Sequence, residues 1–247
     1  MKLKQSIVKQ GYFLFRYRSY FPIILFVLSV PFVYESLKWA DSSTLKNILN
    51  ILAALFWLMG FLIRGYTIGT TPKGTSGRNT KEQVAEQLNT KGIYSMVRHP
   101  LYLGNFLMWL GIVIFTYSLN FIIIFILLFY IYYERIMAAE EDYIEGKFGE
   151  QFDKWSIKTP AFFPKFKNYE KTNINFSLKS VLRREYSGCL ATVISFTYID
   201  YLRYYFKTNS LISFRLSFYI LILTIIITLV LRTLKHNTSF LNEANRS

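Results

Sequence analysis

The residues best equipped for chemistry lie in one run, Gly92-Ile93-Tyr94-Ser95-Met96-Val97-Arg98-His99-Pro100-Leu101-Tyr102-Leu103-Gly104, where a polar loop gives way to apolar sequence. Pro100 suits the first turn of a helix, because its missing N–H would be unpaired there in any case. Arg98 and His99 then stand at the positive end of that helix and offer charge and hydrogen-bond donors to a carboxylate or phosphate. Gly104 thins the helix so that a ligand or another backbone can come close. Downstream, Glu140 and Glu141 form an acidic pair in an amphipathic stretch that also holds Phe148 and Trp155. Singly, each feature has a plainer reading: Arg98 as an anchor to lipid phosphates, His99 and Tyr102 as interface residues, the glutamates as a solvated helix face.

The elements that must position these residues are helices in lipid. The chain is 52% hydrophobic and 19% aromatic, with the apolar residues gathered into blocks rather than spread as in a soluble domain. Apolar helices are expected at about 21–34, 48–63, 101–117, 121–133, 188–206 and 211–234. The short link at Ser118, Leu119 and Asn120 makes the third and fourth an antiparallel hairpin. Pro22 and Pro31 weaken the first helix, and the preceding residues, with Lys2, Lys4, Lys9, Arg16 and Arg18 among aromatics, read as a basic strip on a phospholipid surface. Arg64 and Tyr66 read as interface anchors at the end of the second helix. The fold class is therefore all-α, a single polytopic membrane bundle of about six helices. Its net charge of +14 follows from topology, not nucleic acid: with basic segments on the cytoplasmic side, both termini lie there. The lone Cys189 excludes an internal disulfide, and two histidines make no His-rich metal centre. Asp200, near Arg203 and a helix end, is expected to be interfacial or structural.

The pattern Gly-x-Tyr-x-x-x-Arg-His-Pro-x-Tyr-x-Gly, complete here at Gly92, Tyr94, Arg98, His99, Pro100, Tyr102 and Gly104, resembles the isoprenylcysteine carboxyl methyltransferase and phospholipid methyltransferase superfamily. The likeness continues through Glu140-Glu141, Ile144, Phe148-Gly149, Phe152, Trp155, Pro160 and Pro164, although the family usually has tyrosines where Phe152 and Trp155 stand. It covers about 48–164 and leaves a C-terminal helix pair at about 188–234 unmatched. The resemblance implies a pocket for S-adenosylmethionine at the cytoplasmic ends of the third and fourth helices, with Tyr94, Val97, His99, Pro100, Tyr102, Gly104 and Glu140 around the cofactor. Physical chemistry is compatible: Glu140 or Glu141 can meet the cofactor's ammonium, Arg98 or His99 an anionic group, and Tyr94, Tyr102 or Trp155 the adenine or sulfonium.

Methyl transfer from a sulfonium is an in-line displacement that needs positioning more than proton transfer when the acceptor is already an anion. Arg98 and Glu141 are the expected catalytic pair, Arg98 as a cationic clamp joined by Arg78, and Glu141 or His99 as a base for a neutral acceptor. Arg78 lies in the donor-rich loop Thr71–Lys81, which suits a phosphate-bearing head group, and Trp155 is assigned to the same lipid substrate. The arrangement also resembles the bacterial lipid A phosphate methyltransferase branch, which implies the bacterial inner membrane. An isoprenylcysteine-type carboxylate is the alternative acceptor. Membrane reductases of the sterol type share an Arg-His and a Tyr-x-Gly while binding a nicotinamide cofactor, but Pro100 directly after His99 favours the methyltransferase. A small transporter would carry polar residues at mid-membrane, and only Asp200 fits that pattern.

Overall fold

The computed structural model describes residues 3–38, 43–72, 74, 85–243 and 246. Among these residues eight α-helices follow in order: α1 (Leu3–Arg16), α2 (Phe21–Ser36), α3 (Ser43–Gly69), α4 (Pro100–Ile114), α5 (Leu119–Phe148), α6 (Glu150–Lys158), α7 (Leu178–Thr208) and α8 (Leu216–Asn237). Among the described residues there is no strand, only an isolated bridge between Gly92 and Glu170. The protein is a polytopic helical membrane bundle.

Small residues set its closest packing. A Cβ on Gly60 of α3 would lie 2.5 Å from the carbonyl oxygen of Gly104 on α4, and one on Gly111 would lie 2.5 Å from that of Ala53. Without Cβ atoms the two backbones meet directly, as dispersion-driven packing in lipid requires. Gly104 therefore serves the approach of helix α3. The α4–α5 hairpin closes through Tyr117, at φ 63°, and Ser118, whose hydroxyl accepts the Phe121 N–H at 3.3 Å. Along α5, Phe121, Phe125, Phe129 and Tyr133 recur every fourth residue and face the core with Phe21 and Leu25 of α2.

Several elements differ from expectation. The apolar run of α5 and the charged stretch after it form one continuous helix of 30 residues, ending where Gly149 turns to φ 48°. At 1.5 Å per residue it is about 45 Å long, against roughly 30 Å of hydrocarbon, so its acidic C-terminal third stands clear of the lipid core. Among the described residues, four segments, Arg18–Ser36, Ser43–Gly69, Leu119–Phe148 and Leu216–Asn237, are long and apolar enough to span by length and composition, where six apolar helices were expected. Helix α4 is apolar but only 15 residues long, and α7 is long but carries charges at both ends. The N-terminal strip is a helix docked on α5: Gly11 lies against the Arg135 carbonyl, and Tyr12 donates to Asp142 at 3.2 Å. Helix α2 continues through Pro31.

Candidate active site

The loop before α4 has its backbone paired to the chain that follows α6. The N–H of Arg98 donates to the Pro160 carbonyl (2.9 Å), that of His99 to Ala161 (3.2 Å), and that of Lys165 to Met96 (2.9 Å). Val97 is fully buried within this brace, Pro100 starts α4, and the Trp155 indole donates to the Tyr94 carbonyl at 3.0 Å. The side chains of Arg98 and His99 are thereby aimed at the acidic end of α5.

Four charges close on one another there. Arg98 forms a two-pronged contact with Glu141, Nε to Oε1 at 2.9 Å and Nη2 to Oε2 at 3.2 Å, while its Nη1 donates to the carbonyls of Ser156 (2.7 Å) and Thr159 (3.1 Å). The His99 Nε2 lies 2.8 Å from Glu141 and its Nδ1 3.4 Å from Glu140. The Tyr102 hydroxyl donates to Glu140 at 2.6 Å. Arg98, expected as an open anion clamp, instead has most of its donors committed to Glu141 and the α6 end, because the loop pairing delivers it there. Arg78 lies outside the described residues.

Both His99 nitrogens face carboxylate oxygens, which only the doubly protonated ring can satisfy. Burial alone pushes the imidazole pKa down, but hydrogen bonds to Glu140 and Glu141, and their charges, outweigh it and hold the pKa above its ordinary value. The stabilisation by this imidazolium is therefore complete below the unfolded pKa of about 6.5 and is lost as pH rises through the folded value. The detergent-solubilised protein is expected to melt progressively lower over that alkaline window, and His99→Gln to flatten this part of the profile. Identical profiles for both proteins would show that His99 is not the titrating clamp. Burial, acting against nearby Arg184 and Arg64 but with Glu140, pushes the Tyr94 phenol up to about 12, so it stays neutral.

A second ion pair was not expected. Arg64 of α3 holds Glu185 of α7 by two bonds, 2.8 and 2.7 Å, and donates to Asn105 of α4 at 2.7 Å. Its side chain is 16% exposed and that of Glu185 2%, so Arg64 is an interior strut and not the interface anchor the sequence suggested. Tyr133 of α5 is buried near Asn105 and Arg64. The one sequence signal was an arginine ending an apolar run with a glutamate opening another.

The comparisons with known proteins bear on this arrangement directly. The phospholipid methyltransferase family model matches residues 48–151, a segment that contains Arg64, Arg98, His99, Tyr102, Asn105, Tyr133, Glu140 and Glu141. The match to the phospholipid methyltransferase family covers that segment alone, less than half of the chain. Curated proteins similar to part of the chain include the nickel-cobalt-cadmium resistance protein NccN of Alcaligenes xylosoxydans xylosoxydans, 39% identical over 36% of this chain and 39% of its own length. The cobalt-zinc-cadmium resistance protein CzcN of Cupriavidus metallidurans is 38% identical over 33% of this chain and 38% of its own length. The protein-S-isoprenylcysteine O-methyltransferase of Schizosaccharomyces pombe is 28% identical over 43% of this chain and 48% of its own length. The chain thus spans less than half the length of each of these relatives. No solved structure matches. The expected isoprenylcysteine and phospholipid methyltransferase superfamily is where the segment falls.

Proposed function

We propose that this protein is an S-adenosylmethionine-dependent O-methyltransferase that methylates an anionic lipid head group at the cytoplasmic face of a bacterial inner membrane, with both termini on that face. The observation that carries the reading is the four-charge cluster of Arg98, His99, Glu140 and Glu141 at the membrane-distal end of α5, inside the family-matched segment. The donor set fits the cofactor. Glu140 meets Tyr102 and His99, whereas Arg98 closes on Glu141, so Glu140 is the carboxylate best placed in charge to take an ammonium. Tyr94 and Tyr102, partly buried, and the buried Tyr133 bring phenol rings suited to a sulfonium or an adenine face. When bound, the cofactor supplies an electrophilic methyl group.

The chain's own residues then have positioning roles. His99 and Arg98 fix Glu141 and, through it, the loop against α5, while apolar α4 and α5 exclude water from below. An anionic acceptor oxygen needs no base, in keeping with the engagement of Glu141 by two cations. For the acceptor, a phosphate of the lipid A type is favoured, approached through Trp155 and the basic loop with Arg78. An isoprenylcysteine-type carboxylate is the second reading, supported by the likeness to the Schizosaccharomyces pombe enzyme. Transfer of labelled methyl from S-adenosylmethionine into lipid tests the function, and mass spectrometry of the labelled lipid distinguishes the acceptors. Label on a phosphate supports the first reading, and label on a carboxylate replaces it with the second.

A further inference from the structure

At the other end of the bundle lies a second polar site. Arg203 is about 27 Å along α7 from Glu185, counting 1.5 Å per residue. A cavity of ≈ 300 Å³ there is lined by Arg203, Arg215, Lys207, Lys46, Asn50 and Tyr117, among others. Among the described residues, Asp200 is the one acidic residue in the lining, and its oxygens are committed to Arg215 at 2.7 and 2.9 Å and to the Ser217 hydroxyl at 2.6 Å. Arg203, near which Asp200 stands in sequence, obtains no such carboxylate fork. Its guanidinium carbon sits 4.1 Å from the Phe115 ring centre and 4.2 Å from that of Tyr117. Arg203 is 9% exposed, and its buried Nη1 has no hydrogen-bond partner, the only such side-chain atom among the described residues.

A buried guanidinium donor left unpaired costs free energy unless a ligand meets it. The Phe115 and Tyr117 rings, with centres 6.0 Å apart, pack against the guanidinium from two adjacent directions, and its planar fork is suited to oxygen pairs of phosphate or carboxylate type. Arg203 and the exposed Lys207 add positive charge to the lining beyond the Arg215–Asp200 pair. A larger cavity of ≈ 590 Å³ adjoins it, sharing Phe115, Asp200 and Arg215 and lined otherwise by the apolar Phe196, Phe214, Leu216 and Ile220 with Ser213 and Ser217. We propose that the Arg203 pocket binds a phosphate-class anion, with the adjoining apolar groove able to take the chain of a lipid that carries it. The site is separate from the Glu141 cluster and does not depend on the proposed methyl transfer.

The test uses the full chain in phosphatidylcholine nanodiscs, with calorimetry of two probes: inorganic phosphate and dihexanoyl phosphatidylglycerol, with dihexanoyl phosphatidylcholine as the uncharged-net control. At least one anionic probe should bind saturably, and Arg203→Gln should weaken it about tenfold or more, the scale of one lost charge-assisted contact. Lys207→Gln, at an exposed position, should weaken it by a smaller factor and guards against misfolding of the Arg203 variant. Tighter binding of phosphatidylglycerol than of phosphate identifies a lipid head group as the source, and the reverse identifies a free anion. Absence of binding by both anions, binding unchanged in both variants, or equal binding of the zwitterionic control would overturn the proposal.

Discussion

Arg98→Ala is expected to lower the proposed methyl transfer by on the order of 100-fold, the scale of a misplacement of about 1 Å at a reaction site. The reason is that Arg98 fixes three elements at once: Glu141 on α5 through its fork, and the Ser156 and Thr159 carbonyls at the end of α6 through Nη1. Removing the guanidinium leaves Glu141 with His99 alone and two carbonyls without that partner. The variant should also melt earlier, by on the order of 1–3 kcal/mol for the unpaired groups, and toward the low end because Arg98 is 16% and Glu141 24% exposed. Arg98→Lys recovers little, since an ammonium cannot span a carboxylate fork and two carbonyls together. Because Arg98 acts through Glu141, Arg98→Ala combined with Glu141→Gln should be little worse than either change alone. A fall in maximal rate assigns the pair to positioning of the transfer, whereas a raised cofactor requirement at unchanged maximal rate assigns it to uniform binding. Normal turnover by Arg98→Ala would remove Arg98 from the site.

Glu185→Ala is expected to destabilise the protein by about 3–5 kcal/mol, the usual cost of stranding one partner of a buried ion pair. Arg64 lies in the interior, held by Glu185 and Asn105, and the alanine leaves its charge without a carboxylate. Pairing that change with Arg64→Met should restore most of the melting temperature, because two apolar groups need no partner. Methyl transfer is expected to stay low in the double variant if Arg64 orients Asn105 and Tyr133 beside the cluster. This measurement reports on α7, which lies outside the family-matched segment and yet touches its interior. A Glu185→Ala protein that melts and turns over like the unaltered one would reduce the α7 contact to an incidental one.

Much of this site was legible because its chemistry is local in sequence. The run from Gly92 to Gly104 announces the loop and the start of α4, and the short link before Leu119 fixes the hairpin. The meeting of Arg98 with Glu141 was not legible, since two charges separated by a whole hairpin do not state which neighbour each will choose. The backbone pairing of 98–99 with 160–161 makes that choice. The continuity of α5 past its apolar run was missed for a different reason. Met137, Ala138, Ala139, Glu140 and Glu141 are strong helix formers, so the helix propagates beyond the lipid until Gly149 stops it. Asp200 shows the limit of spacing arguments: Arg203, three residues on, is its natural helical neighbour, but Arg215 at the start of α8 offers the two-pronged geometry and takes it. Gly104 was read as open to a ligand or a backbone, and the close seam with Gly60 selects the backbone.

The most direct test is transfer of labelled methyl from S-adenosylmethionine to lipid by the purified protein in liposomes of bacterial lipid, with NADPH supplied in a parallel reaction. Label should appear in the lipid fraction at a rate that saturates with S-adenosylmethionine and falls in Arg98→Ala, with NADPH having no effect. Lipid that stays unlabelled while NADPH is consumed would contradict the account and place the cluster of Arg98, His99, Glu140 and Glu141 in a reductase.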